Sequence, residues 1–344
     1  MKGFKAYNIE GAELSEMGQS LITGTYPIHF HLCHDTDTVS SPMVRNNAIH
    51  NSFSRCVTIH GSHGIMVIDN VAFDHVGHCF FLEDGGERRT YFEGNLGAGT
   101  KQGSLTPGDE QPTTFWITSP VTTMIGNVAA GSEKVGIWYL FPDKPVGPSR
   151  ELGFFKNKEA RLTPITLFKN NAAHSNEASG LNFNKRLGDN HTIIGCSTYN
   201  PRVDPSDKKS NLVPIVLDGF TGYKNRDRNV VMRSTSSELR NFFLSDSLIG
   251  IYFNRNMFGG YQQLTDSTII GESPNWGVGG KIKYKDAQGV VHHYSSRRSL
   301  PHDNKGQKPL TGVSLNAEGP THLVNVRFLN LKTNAMRKVI VMKV

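Results

Sequence analysis

Residues 44–72 read VRNNAIHNSFSRCVTIHGSHGIMVIDNVA, and one phrase opens and closes the stretch. Val44-Arg45-Asn46-Asn47-Ala48 returns as Ile68-Asp69-Asn70-Val71-Ala72, then as Ile125-Gly126-Asn127-Val128-Ala129 and Phe168-Lys169-Asn170-Asn171-Ala172, with a looser copy at Phe92-Glu93-Gly94-Asn95-Leu96. The first Asn of each copy falls at 46, 70, 95, 127 and 170, so the early steps are 24 and 25 residues. After each phrase comes a second apolar alternation, such as Cys56-Val57-Thr58-Ile59-His60 or Cys79-Phe80-Phe81-Leu82-Glu83. Short alternating runs between Asn/Gly/Asp turns are strands, and no period of 3.6 persists. A repeat of this length suits one turn of a solenoid, three short strands returning about 4.8 Å further along. A propeller blade needs about 40 residues and hairpin turns. The pattern therefore predicts an all-β fold, a right-handed parallel β-helix, in which an Asn at a fixed turn accepts left-handed backbone and ladders its amide between coils.

The 344 residues are expected to form one such domain. Insertions near 101–112, 142–164, 199–211 and 272–309 are rich in turn-forming residues, and solenoids tolerate such excursions at their corners. The N-terminus lacks an apolar signal region and begins abruptly, so the chain is expected to be a piece of a longer protein. No run of eighteen apolar residues predicts a membrane segment. Cys33, Cys56, Cys79 and Cys196 form no CxxC pair, which excludes a zinc ribbon and a thioredoxin-like motif. No P-loop, dinucleotide fingerprint or Gly-x-Ser-x-Gly elbow is present. The formal charge of +7 favours polyanions. Charge alone does not argue for nucleic acid, and none is expected as a partner.

Aligning the coils on their second strand puts Ile28, Val57 and Phe80 in one inward column and Phe30, Ile59 and Leu82 in another. The alternation then turns His31, His60 and Glu83 outward as one vertical row, with His29 in the neighbouring outward column beside Thr58 and Phe81. Imidazoles with a carboxylate in reach suit a divalent metal, and His29, His31, His60 and Glu83 are the candidate ligands, with Zn, Mn, Ni and Ca left open. Cleavage of a glycan needs an acid and a second carboxylate or help from the substrate. Glu83 and Asp84 are the candidate acids, with Asp35 and Asp37 as possible partners. An eliminating route would use His31, His60, Arg55 or a metal instead. Arg55, Arg88 and Arg89 could pair with uronate carboxylates, and Trp138, Trp116 and Tyr139 could carry sugar rings. His50 and His174 occupy equivalent repeat positions and read as structural.

Three strings carry a resemblance: Tyr26-Pro27-Ile28-His29-Phe30-His31-Leu32-Cys33-His34-Asp35, Asn51 to Gly61, and Gly77-His78-Cys79-Phe80-Phe81-Leu82-Glu83-Asp84-Gly85. With Gly136-Ile137-Trp138-Tyr139-Leu140-Phe141, in this order, they resemble the β-helix region of the cell-surface (transmembrane) and cell-migration-inducing hyaluronidase family, and more distantly the fibrocystins. The resemblance implies a β-helix that binds and depolymerises hyaluronan, or another acidic glycan, outside the cell or at its surface. The alternative is a glycan-binding or scaffolding β-helix without catalysis, with or without a His-bound metal.

Overall fold

The structure, a computed structural model, describes residues 6–36, 40–195, 197–254, 259–274, 280–285, 289–296, 310–315 and 319–331. Asp37, Cys196 and much of the 272–309 insertion lie outside the described residues. The chain winds as a parallel β-helix. One face is a nine-stranded parallel sheet that runs from Ile28–Asp35 through Val57–His63, Phe80–Leu82, Thr113–Ile117 and Val135–Tyr139 to Thr311–Leu315. Two further parallel faces start as separate ladders and merge where the single strand Leu167–His174 pairs with both.

Side chains distant in sequence stack because each coil repeats the register of the one before. Ile28, Val57, Phe80, Phe115, Ile137, Leu181, Val230, Ile251 and Val313 are successive partners in one inward column. All of them are buried in a single core. A facing column is built from small residues, with Ala72, Gly97, Ala129 and Ala173 in register. At Gly97 even a Cβ would come within 2.3 Å of Thr114 Cγ2. The stack therefore leaves no room for a side chain there.

The turn that made the repeat legible divides its two tasks between neighbouring residues. Asn46, Asp69, Gly94, Gly126 and Asn170 take the left-handed backbone. The next residue in each coil, Asn47, Asn70, Asn95, Asn127 and Asn171, is buried and makes the amide ladder. This corrects the expected ladder register at Asn46 and Asn170, where the first Asn of the pair supplies only the turn. The Nδ2 of Asn70 donates to Asn95 Oδ1 at 2.9 Å and to Val44 O at 2.9 Å, while its own backbone N–H donates to the same Asn95 Oδ1 at 3.1 Å. Asn47, Asn95 and Asn127 repeat this pattern. Beyond Asn171 the position passes to Phe220, Phe242 and Ser267, and the left-handed turn continues at Gly219, Asn241 and Asp266.

A disulfide joins Cys56 to Cys79 across adjacent coils, 23 residues apart in sequence. Closing a loop of that size stabilises by about 3 kcal/mol in the chain-entropy account. The insertions lie at the corners of the coils. Residues 101–112 carry the short 3-10 turn Pro107–Glu110, and residues 142–164 carry Gly147–Leu152 and Glu159–Arg161. Within 272–309, Gly280–Lys285 and Val291–Ser296 pair as an antiparallel hairpin.

The ladder predicts unequal costs at adjacent positions. Asn95→Ala orphans buried backbone groups and should lower stability by about 1–3 kcal/mol per group. Asn46→Gly keeps the left-handed turn and should change it little. The midpoint of guanidinium unfolding checks both, and equal losses would contradict the division of roles.

Candidate functional site

Period-two alternation sets the site. Val57 and Ile59 point into the core, so Thr58 and His60 point away from it, and the same holds for Ile28 and Phe30 against His29 and His31. His31 is the direct register partner of His60. Glu83 follows Leu82 one coil on, and its backbone N–H donates to Ile59 O at 3.0 Å, which places it beside His60. The ring centroids of His31 and His60 are 4.8 Å apart, those of His29 and His31 5.1 Å, and those of His29 and His60 6.1 Å. The imidazoles of residues 29, 31 and 60 and the carboxylate of residue 83 thus converge.

The row is outward from the coil but it is not an open surface. His31 is exposed and His29 is half-buried, whereas His60 and Glu83 are only 6% and 5% exposed. The insertions fold back over them. Val146 N donates to Asp84 O at 2.9 Å, and Ser149 N donates to Asp84 Oδ2 at 3.2 Å. Phe154 packs edge-on against His63 with centroids 4.2 Å apart. His191, from the turn Asp189–His191, brings Nε2 to 3.8 Å from Asp84 Oδ1.

Electrostatics set His60, His29 and Asp84 apart. Burial would lower the pKa of His60, but Asp84 Oδ2 at 2.8 Å from its Nε2 and the charges of Glu83, Asp84 and Glu87 raise it above the ordinary value. Its Nδ1 faces Glu83 Oε2 at 3.6 Å. His29 is pushed down to about 4 by burial, aided by the charges of His31 and His60. Its Nδ1 lies 3.0 Å from Gly24 O and donates to it, so Nε2 is the free acceptor. Among the described residues, that Nε2 and Glu83 Oε2 are buried without a hydrogen-bond partner. Burial would raise Asp84, yet its bonds to His191, His60 and Ser149 hold it far below the usual carboxylate range.

Several expectations are corrected by these positions. Asp84 stays ionised and fully buried, so it orients His60 rather than giving up a proton. Asp35 lies beyond the bulge after His31 and forms an exposed ion pair with Arg89 at 2.6 Å, so it is not the partner of Glu83. Arg55 is 1% exposed and its Nη1 is 2.7 Å from Asp109 Oδ1, with its guanidinium 4.0 Å above the Phe81 ring. It holds an insertion to the coil and does not meet solvent. Arg88 stacks over Phe155 and Phe154, at 4.8 and 5.6 Å, and is half-buried. Trp138 is covered in a second apolar cluster with Phe81, Trp116, Val146 and Leu187, and its Nε1 donates to Asn184 O at 2.8 Å. It offers no open ring to a sugar. His50 pairs with Glu13, and His174 stacks on Tyr223, both as strand residues bridging adjacent coils.

Sequence reasoning missed Glu87, Asp109, His191 and the disulfide. Glu87 accepts from the backbone of Gly61, Asp84 and Gly85 at 3.0, 3.1 and 2.8 Å. Burial and the Asp84 charge push it up to about 7. Its place in Asp84-Gly85-Gly86-Glu87, a turn that needs an internal acceptor, was the available signal. Among the described residues, two groups have the make-up of a metal site. His29, His60 and Glu83 offer ligand atoms within 4.8 Å of one another, whereas Cys56, His75 and Cys79 lose their thiols to the disulfide.

Comparison with known proteins agrees with the fold. Residues 1–181 match the family model described as the CEMIP beta-helix. The chain belongs to the CEMIP β-helix family. Its family relatives include the human cell surface hyaluronidase CEMIP2, 34% identical over 373 residues that cover 95% of this chain and 26% of that protein. The human cell migration-inducing and hyaluronan-binding protein is 33% identical over 370 residues, covering 95% of this chain and 26% of its own. Mouse fibrocystin-L is 40% identical over 174 residues, 50% of this chain and 4% of that protein. The chain thus spans about a quarter of the length of the two human hyaluronan-related relatives. Among the described residues no helix is long and apolar enough to cross a membrane.

Two outcomes follow for stability. Arg55→Ala strands Asp109 in the interior and should cost about 3–5 kcal/mol by chemical unfolding, the signature of a broken buried pair. A fully stable variant with impaired glycan binding would restore the substrate-contact role. Acid should also weaken the fold in a defined window. His29 and His63 are lowered to about 4, and His75 and His78 to about 3, each first by burial. These rings bind fewer protons folded than unfolded, so their stabilisation is complete above 6.5 and is lost as pH falls toward those values. His60 has the opposite sign, favouring the fold below 6.5 and losing that as pH rises through its raised value. Glu87, raised to about 7, acts like His60 and favours the fold as pH falls through that value. Four rings against these two groups predict a urea midpoint that falls from pH 6.5 to 4, and a flat profile would contradict the burial of these rings.

Proposed function

We propose that this chain is the hyaluronan-processing β-helix of a cell-surface or extracellular protein, and that the polymer reacts at the His29, His31, His60 and Glu83 cluster. Family membership and the hyaluronan-related names of its relatives support the substrate class. The formal charge of +7 supports attraction of a polyanion. The observation that carries the site is the exposed imidazole of His31 standing 4.8 Å from the buried, acid-paired ring of His60.

The chemistry follows from which groups remain uncommitted. Asp84 and Asp35 are occupied by His60 and Arg89, so a hydrolysis shared between two protein carboxylates lacks its second member. Glu83 and His60 are left as a facing acid–base pair at 3.6 Å. His60, with its raised proton affinity, holds a proton for the leaving oxygen, and Glu83 takes or relays one. The N-acetyl group of the substrate can supply the missing nucleophile. Imidazolium charge beside the cluster offsets the uronate.

A second reading is a glycan-binding scaffold without cleavage. It is favoured by the covered Trp138 and by the chain's share, about a quarter, of its relatives' length. High-molecular-weight hyaluronan incubated with the purified chain separates the two. Cleavage should shorten the polymer on size-exclusion light scattering, and Glu83→Gln should slow it about 100-fold or more while leaving the unfolding midpoint near wild type. Unchanged polymer length, with binding retained by Glu83→Gln, would sink the catalytic reading and leave the scaffold.

A further inference from the structure

We propose that His29 Nε2, His60 Nδ1 and a Glu83 oxygen bind one divalent transition-metal ion, with an open position on the side of His31. The argument starts from orphaned atoms. Buried polar groups are almost always paired. Here His29 Nε2 and Glu83 Oε2 are buried with no hydrogen-bond partner among the described residues, two coils apart with His60 on the coil between them, and the three residues offer ligand atoms to one volume. Glu83 as a whole is 5% exposed. Leaving two such groups unpaired is costly, and one shared ligand would satisfy both.

The outer partners are arranged as metal-bound histidines require. A ligating imidazole has its other nitrogen held by a carbonyl or carboxylate, which fixes the ring and its tautomer. His29 Nδ1 donates to Gly24 O at 3.0 Å. His60 Nε2 lies 2.8 Å from Asp84 Oδ2 as an ion-pair contact, and Asp84 in turn accepts from Ser149 N at 3.2 Å. Both rings therefore turn their remaining nitrogen toward Glu83. The three ligand atoms lie within 4.8 Å of one another. Ligands on one zinc-sized ion are about 3.5 Å apart, so the side chains close by roughly 1 Å on binding.

Two imidazoles and one carboxylate select zinc, manganese, cobalt or nickel over calcium, which needs six or more oxygens. Three protein ligands with a fourth position open is the pattern of a site that takes water or substrate. A uronate carboxylate entering past His31 would fill that position. This last role rests on hyaluronan as the substrate and would replace the Glu83–His60 proton relay, because a metal-bound His60 Nδ1 and Glu83 carry no proton, whereas metal binding itself rests on neither reading.

The test uses the whole tag-free chain, stripped with EDTA and titrated with zinc chloride by calorimetry, without glycan. One ion per chain should bind with micromolar or tighter affinity and raise Tm. His29→Ala, His60→Ala and Glu83→Gln should each weaken it at least tenfold, and Asp84→Asn about 10- to 100-fold. His174→Ala, far from the cluster, should match wild type. Cobalt(II) should give a visible absorption band that His29→Ala removes, a readout that does not depend on the stability of the variant. No saturable binding, or binding and absorption that survive both histidine variants, would overturn the proposal. Loss of binding only in variants whose near-ultraviolet circular dichroism is also lost would overturn the assignment unless Glu83→Gln, folded, still fails to bind.

Discussion

Everything in this molecule depends on one spacing, the strand-to-strand step of about 4.8 Å held constant from coil to coil. The buried amide ladder of Asn47, Asn70, Asn95, Asn127 and Asn171 enforces it, because each rung bonds to a backbone carbonyl of the previous coil and, as far as Asn127, to the amide of the next. A slip of one residue would turn every core side chain to solvent and break all rungs together. Register in this solenoid is a collective property, and the site inherits it. His31 meets His60 only because Ile28 meets Val57 three positions earlier.

Much of this was legible. The Asn phrase gave the coil length, and the alternations gave the columns, including the residues that flank the site. Direction out of the coil was legible too. Exposure was not, because it depends on where the insertions fold, and their sequences carry no period. Residues 142–164 lie across Asp84 and His63. The segment carrying Asp109 lies across Arg55. So Arg55, Asp84 and Trp138 face outward and are nonetheless buried. The doubled Asn-Asn at 46–47 misled for a different reason. Both residues suit a turn, and only the structure distinguishes the one in left-handed backbone from the one in the ladder.

Between the outer face of the nine-stranded sheet and the insertions lies a second interior, apolar around Trp116 and Trp138 and polar around His60 and Arg55. Arg55 with Asp109, and His60 with Asp84, are paired there. Lys101 with Asp74 adds another buried pair elsewhere on the coil. Buried pairs contribute little net stability, but breaking one is costly, so they favour one placement of each loop over others. The same layer supplies the low-dielectric surroundings in which a shifted histidine or an unpaired carboxylate can act. A dry apolar cap would seal the histidines, and an open surface would leave them with ordinary properties.

The bond between Cys56 and Cys79 bears on this in another way. Each cysteine immediately precedes the strand that leads to His60 or to Glu83. The covalent tie therefore fixes the pitch between those two rungs at their base. Disulfides persist in oxidising compartments and are rare in reducing ones. Full rigidity of the cluster is thus a matter of maturation as well as of folding: a chain still in its thiol form would have the right neighbours but a looser stair between them.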